Sequence, residues 1–279
     1  MLKLLACFKT TWNLDDVTAE EWDFLEKGRT PSFMKKTLSA YDESALELAL
    51  RLADGAKQTL GRETELTAVT VDADENIEDH VTKNLFAIGY TRVAHVACAE
   101  DLRFRPDLTA GMLCGFIGQE ESGFDLILTG QQANVGDNGQ THLLMAEKLG
   151  LPCVLNVIDA SYLPNPQEGQ GWVRVVSLAD DGILEQTLTK PAILGVANAA
   201  HPYLRVPTLR ERMAASQKSV LAVSGENLVP LDGRQPPRVV HTGLALKKLR
   251  RECRFIQGGS PEEKARLLYD SCLEEVLRS

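Results

Sequence analysis

Two apolar periodicities alternate along this chain, and their order limits the fold more than any single motif does. Leu2–Phe8 is an apolar run too short for a helix and suited to a buried strand. Asp42–Lys57 instead carries Ala45, Leu46, Ala49, Leu50 and Leu52 at three- and four-residue spacings, the pattern of a helix with one buried face. Asp42 and Glu43 stand in its first turn, where the helix dipole favours acidic groups, and Gly61 lies just beyond its end. Glu65–Val71 is strand-like, Ile77–Ile88 has helical spacing closed by Gly89, and Arg92–Ala97 is strand-like again. Pro106–Ile117 then predicts a helix, Asp125–Thr129 a short buried strand, and Gly139–Leu149 a helix ended by Gly150. Strand and helix alternating at this pitch give an α/β chain with a mostly parallel sheet covered by helices.

After Pro152 the pattern changes. Val154–Ile158, Trp172–Ser177 and Ile183–Leu188, separated by a Pro/Gly/Gln turn over Pro164–Gly171 and by Asp181-Gly182, predict antiparallel strands appended to the parallel core. Pro191–Ala197 is a further buried strand, Asn198–Arg210 an exposed loop leading into a helix to about Ala215, and Val220–Val223 a strand that closes the sheet. Lys9–Ala40, with Trp12, Trp22, Gly28 and Pro31, holds no sustained period and forms an excursion, as a hairpin or a short helix. Residues 224–260 are rich in Pro, Gly and basic side chains, and Pro261–Leu277 is an amphipathic helix with Pro near its first turn.

Charge and residue usage exclude several functions. Lys plus Arg total 30 against 39 Asp plus Glu, a net of -9, so the field that would hold a nucleic acid backbone is missing. No apolar run approaches the roughly 18 residues of a membrane span, and the residues before Lys9 are too few for a secretory core, so the expected location is the cytoplasm. Cys7, Cys98, Cys114, Cys153, Cys253 and Cys272 are far apart with no CxxC, and the five histidines show no HExxH, so no metal site is expected. All but Cys253 have apolar neighbours and read as small buried hydrophobes.

The segment with chemistry in it is Thr129–Thr141, TGQQANVGDNGQT. It joins a predicted strand to a predicted helix, at the carboxyl edge where an open α/β sheet binds its ligands. Gly130, Gly136 and Gly139 allow backbone amides to approach an anion, and the next helix offers unpaired N–H groups and a positive dipole end. The same residues also describe a turn that merely connects two elements. Neither GxGxxG nor GxxxxGK[ST] is present.

This loop resembles the adenine-nucleotide loop of the electron transfer flavoprotein beta subunits, with pattern G-[KR]-Q-A-x-D-x-D-x-x-Q-x-G. Here the segment reads Gly130, Gln131, Gln132, Ala133, Asn134, Val135, Gly136, Asp137, Asn138, Gly139, Gln140, Thr141. Gln131 takes the basic position and Val135 the first acidic one. The resemblance runs in order along nearly the whole chain: Cys7-Phe8-Lys9 is similar to the family's first strand end, Ser39–Glu47 to its N-P-x-[DE]-x-x-A-[VL]-E run, Ala68–Val71 to its second strand and Ala87–Arg92 to its A-M-G-A-D-[RK]. Asp181-Gly182 with Glu185, Pro191–Leu194 and Arg205–Leu209 resemble its D-G-G-x-E, P-A-V-[VL] and R-Y-x-[ST]-L segments. Ser39 replaces the usual Asn, as in the FixA-like branch, and Ala214, Ala215 and Gln217 stand where mitochondrial members have lysines.

The resemblance implies a Rossmann-like three-layer sandwich over residues 1–223 that binds an adenine nucleotide, and a C-terminal arm and helix over residues 224–279 that pack on a partner subunit. It implies an electron carrier without a bond-making site of its own, in a heterodimer with an alpha subunit that shares an FAD. The beta subunit would hold AMP or a second FAD, AMP being the simpler expectation, and the dimer would take electrons from a flavin dehydrogenase of the acyl-CoA dehydrogenase type. By position, Cys7, Lys9, Ser39, Tyr41, Asp42, Val71 and the loop Gly130–Thr141 would line the nucleotide, with Asp137 bracing the loop. Leu209 would be the apolar anchor inserted into the dehydrogenase; from the residues alone it equally covers its helix beside Met213. The basic run Lys247, Lys248, Arg250, Arg251 and Arg254 is either a solvated surface or a contact with the partner. A nucleotide sensor of the universal stress type and an enzyme using Lys9, Asp42 and Asp137 remain as alternatives.

Overall fold

The computed structural model describes residues 1–13, 17–18, 21–22, 27, 35–72, 79–134, 136, 138–164, 171–189, 191–229, 236, 239, 242, 255–274 and 277. Strand β1 (Leu2–Cys7) is followed by a two-stranded antiparallel hairpin, β2 (Thr10–Trp12) with β3 (Lys36–Leu38). Then come α1 (Ala40–Leu60), β4 (Thr64–Asp72), α2 (Asp79–Ile88), β5 (Arg92–Ala97), α3 (Pro106–Gly118), β6 (Leu126–Gly130) and α4 (Thr141–Leu149). The second half adds β7 (Cys153–Pro164), β8 (Gly171–Ala179), β9 (Gly182–Leu188), β10 (Ala192–Val196), α5 (Leu209–Ala215), β11 (Leu221–Ser224) and α6 (Pro261–Leu268).

One nine-stranded sheet runs β11-β5-β4-β1-β6-β10-β7-β8-β9. Every pairing from β11 to β7 is parallel, and β8 and β9 add antiparallel. The side chains of β1 divide the interior into two layers, as a strand's period of two requires. Leu4 and Ala6 pack with Leu46, Ala49 and Leu50 of α1 and with Leu85 and Phe86 of α2. Leu5 and Cys7 pack instead with Leu108, Met112 and Phe116 of α3 and Met145 of α4. Helix, sheet, helix is the three-layer sandwich expected from the alternation.

The chain fills one side of β1 with β4 and β5 before α3 carries it back to β6 on the other side. The carboxyl ends of β1 and β6 are therefore the topological switch point, where successive connections leave in opposite directions and open a crevice. Helix α1 is fixed there by its caps: the Ser39 hydroxyl accepts from the Asp42 amide, and Gly61 adopts φ 60° at the other end.

The appended strands are longer than their apolar runs indicated, because polar positions on one face continue the β7 and β8 ladders in register. Gly225 is buried, and Leu228 and Val229 pack against the α3 layer, so core contacts continue beyond residue 223. The C-terminal helix is also shorter: α6 gives way to a π-turn over Tyr269–Leu273, and neither segment buries a side chain. For the same reason the cysteine reading needs a correction. Cys7 and Cys98 are buried and Cys114 and Cys153 partly so, whereas Cys272 is exposed, in a segment that buries no side chain. Cys253 and the basic run 247–254 lie outside the described residues. Among those described, no helix is long and apolar enough to cross a membrane, and no group of side chains could hold a metal ion.

Candidate functional site

A cleft of about 370 Å³ opens at the switch point. Its first wall is the contact between β6 and α1. Asp42, in the first turn of α1, is buried, and its Oδ2 accepts from the Ser39 hydroxyl at 2.7 Å and the Lys9 amide at 3.2 Å. The Gly130 amide also donates to this carboxylate. Burial nevertheless wins over these donors and over the Lys9 charge, and pushes the Asp42 carboxyl up to about 6. A carboxylate already holding three donors is committed to structure, which argues against a role in proton transfer.

The loop leaving β6 uses left-handed backbone at Gly136 (φ 94°) and Gly139 (φ 58°), conformations that favour glycine. The Lys9 ammonium approaches Gly136, 3.8 Å from where a Cβ would stand. Burial lowers the Lys9 pKa, while Asp42 and Asp72 oppose that shift. Helix α4 then begins without a side-chain cap, and its first intrahelical bond runs from the Leu144 amide to the Gln140 carbonyl at 3.0 Å. The amides of Thr141, His142 and Leu143 thus precede the first helical bond and face the end where a helix binds anions.

Of the residues read from the sequence, Cys7, Lys9, Asp42 and Val71 line the cleft, with Gly130–Ala133, Gly136 and Asn138–Thr141. Ser39 is buried beneath it as the α1 cap, and Tyr41 and Asn134 stand off its lining. Val135 and Asp137 lie outside the described residues. Several lining residues were not anticipated. The β2–β3 hairpin brings Trp12 and Lys36, whose ammonium lies 5.3 Å from the indole centroid and 2.9 Å from Asp72 Oδ2. Asp101 and Arg103 enter as an ion pair at 2.6 Å, and Thr109, Leu113 and His142 join Thr129, the first residue of the segment read from the sequence, on the α3–α4 side. No motif marks these positions; only the strand ends and helix starts that the periodicity locates bring them near the loop.

The donor set fits a phosphate-bearing ligand. Gly130 permits backbone contact where a Cβ would be blocked, open amides begin α4, and Thr129 Oγ1 and His142 Nε2 are buried without a hydrogen-bond partner among the described residues.

The electron transfer flavoprotein domain matches residues 34–227, from the start of β3 to the turn after β11. The chain belongs to the electron transfer flavoprotein family. It is 27% identical over 284 residues to "Putative electron transfer flavoprotein subunit YgcR" of Escherichia coli (strain K12), covering 99% of this chain and 100% of that one. It is 25% identical over 241 residues to the electron transfer flavoprotein subunit beta of Bacillus subtilis (strain 168), covering 86% of each. These matches make it an electron transfer flavoprotein subunit of the beta-like kind.

In this electron transfer flavoprotein chain Leu209 opens α5 and is 75% exposed, with Val206 and Met213 exposed beside it. Thr208 and Glu211 close a capping box under it. The preceding loop is held to α1 by Arg205, whose guanidinium meets Glu47 at 2.8 Å and Asp54 at 3.0 Å.

Proposed function

We propose that this chain is the beta subunit of a heterodimeric electron transfer flavoprotein, that its cleft holds AMP, and that the dimer carries electrons from a flavin dehydrogenase of the acyl-CoA dehydrogenase type to a further acceptor. The observation that carries the reading is the uncapped start of α4, beneath a glycine loop and beside Lys9, at the switch point of the sheet. A nucleotide phosphate takes the open amides and the ammonium.

The cleft volume lies near the lower end of the roughly 300–1,000 Å³ of ligand pockets, which suits a mononucleotide better than a dinucleotide. FAD shared with the alpha subunit supplies the electron chemistry, and the residues of this chain bind, orient and exclude water. The C-terminal helix α6 packs on the alpha subunit. That α6 buries no side chain within this chain supports an external surface for it. Leu209 is the anchor for the dehydrogenase, as an exposed Leu on a braced loop can fill a partner pocket.

The test is co-expression with an electron transfer flavoprotein alpha subunit. A stable heterodimer with flavin absorbance is expected. A chain that purifies alone under these conditions and binds adenine nucleotide would support the sensor instead and overturn the heterodimer.

A further inference from the structure

The β2–β3 hairpin walls the cleft on the side of β4. Its strands are three residues long, too short to hold a hairpin by themselves, and it is fixed by what it buries, Thr10, Thr11 and Lys36. Lys36 and Trp12 are register partners across the two strands, so their side chains share one face of the hairpin. Lys36 is only 8% exposed, and a cation that far out of water has to be paired. Its ammonium meets Asp72, the last residue of β4, at 2.9 Å and lies over the Trp12 indole, 5.3 Å from the ring centroid. One face of the ring is thereby committed, and its position is set from the sheet.

Trp12 itself is half-buried, yet among the described residues it joins neither hydrophobic layer of the sandwich. What it lines is the cleft, together with Val71, Leu102 and Pro106. A large aromatic ring outside the core, held by a buried cation at the wall of a cleft, keeps apolar surface available to a ligand. Lys9 relates this wall to the glycine loop: its ammonium is 3.8 Å from where a Cβ on Gly136 would stand, and its charge acts with those of Asp42 and Asp72.

We propose that Trp12 is the stacking platform for the heterocyclic base of the bound nucleotide, on the indole face opposite Lys36. The inference rests on the nucleotide reading and deepens it. A nucleotide with its anionic end at the loop beside Lys9 brings its base toward Asp72, Lys36 and Trp12, where Val71, Leu102 and Pro106 supply further apolar surface. A π-face takes any planar ring, so the platform selects for the presence of a base and not for its identity. It contributes to AMP and adenosine alike, and nothing to a ribose phosphate.

Calorimetric titration of the full-length chain, freed of nucleotide, with AMP, adenosine and ribose 5-phosphate tests this. Trp12→Leu keeps an apolar side chain and removes the ring; it weakens AMP and adenosine binding about tenfold or more and changes ribose 5-phosphate binding less than about twofold. Trp12→Phe, which restores a ring, recovers most of the loss. A Leu variant that binds AMP as the wild type does, an equal loss for ribose 5-phosphate, or a Phe variant no better than Leu overturns the platform while leaving the nucleotide reading intact. If the wild-type chain binds neither AMP nor adenosine, it is the nucleotide reading that fails, and the platform with it. Tryptophan fluorescence gives an independent check: AMP quenches the wild-type emission, and the quenching is absent in Trp12→Phe although Trp22 and Trp172 remain. Quenching that persists in the Phe variant contradicts stacking on Trp12.

Discussion

Gly130 and Asp42 stand so close that a Cβ on the glycine would fall 2.5 Å from Asp42 Oδ1 and 3.0 Å from the Asp42 backbone nitrogen. The end of β6 is thereby pressed onto the first turn of α1, and the loop begins from a fixed point. Gly130→Ala forces these two elements apart. The expected cost is about 1–3 kcal/mol in urea unfolding, as for other overpacked sites, with a loss of AMP affinity. An alanine variant with unchanged stability and affinity would show that the contact does not set the loop.

The carboxylate in that contact gives the chain a pH signature. Burial raises the Asp42 pKa from 3.8 to about 6, so between those values the folded chain holds more protons than the unfolded one. Its contribution to stability is present at low pH and is lost as pH rises through that window. Wild-type stability relative to Asp42→Asn should therefore fall by roughly 2 kcal/mol between about pH 4 and pH 7, then level off. Parallel curves for the two proteins, or a wild type gaining on the variant with pH, would contradict the buried carboxylate.

Arg205 ties the loop before α5 to α1 through Glu47, whose side chain is 8% exposed. Arg205→Ala removes the guanidinium and, among the described residues, leaves the Arg205 backbone amide, 3.0 Å from Glu47 Oε2, on that carboxylate. Because Arg205 itself is about one-third exposed, the loss is reduced by solvent to about 1–2 kcal/mol, and Arg205→Lys recovers part of it. Limited proteolysis should cut the alanine variant sooner within Pro202–Thr208. Unchanged cleavage would mean that the loop is held elsewhere.

Leu209→Ser should leave thermal stability within about 0.5 kcal/mol of wild type, since the side chain is exposed. Association with the dehydrogenase should weaken about tenfold or more, the behaviour of an interface anchor. Equal association by both proteins would assign Leu209 to surface.

How far the sequence discloses this molecule depends on the length of each element. Leu2–Cys7, Leu126–Gly130 and Ala192–Val196 are legible because strands buried on both faces are continuously apolar. The glycine loop is legible because positive φ selects its residues. The hairpin that delivers Trp12 and Lys36 has three-residue strands, too short for any period to register. Ser39 reads as a substituted ligand contact, but the structure uses its hydroxyl to cap α1, two demands that one polar residue before a helix can meet equally. His142 is hidden in the sequence because a histidine in a first helical turn is ordinary. Only its burial without a partner distinguishes it.

The central claim is that this subunit carries an adenine nucleotide at the switch point of its sheet. The direct measurement is to denature the purified heterodimer and quantify the released nucleotides by chromatography. One AMP and one FAD per dimer is the predicted result. Two FAD and no AMP would place a second flavin in this cleft and contradict the assignment of AMP, and no nucleotide beyond the shared FAD would contradict the account of the cleft itself.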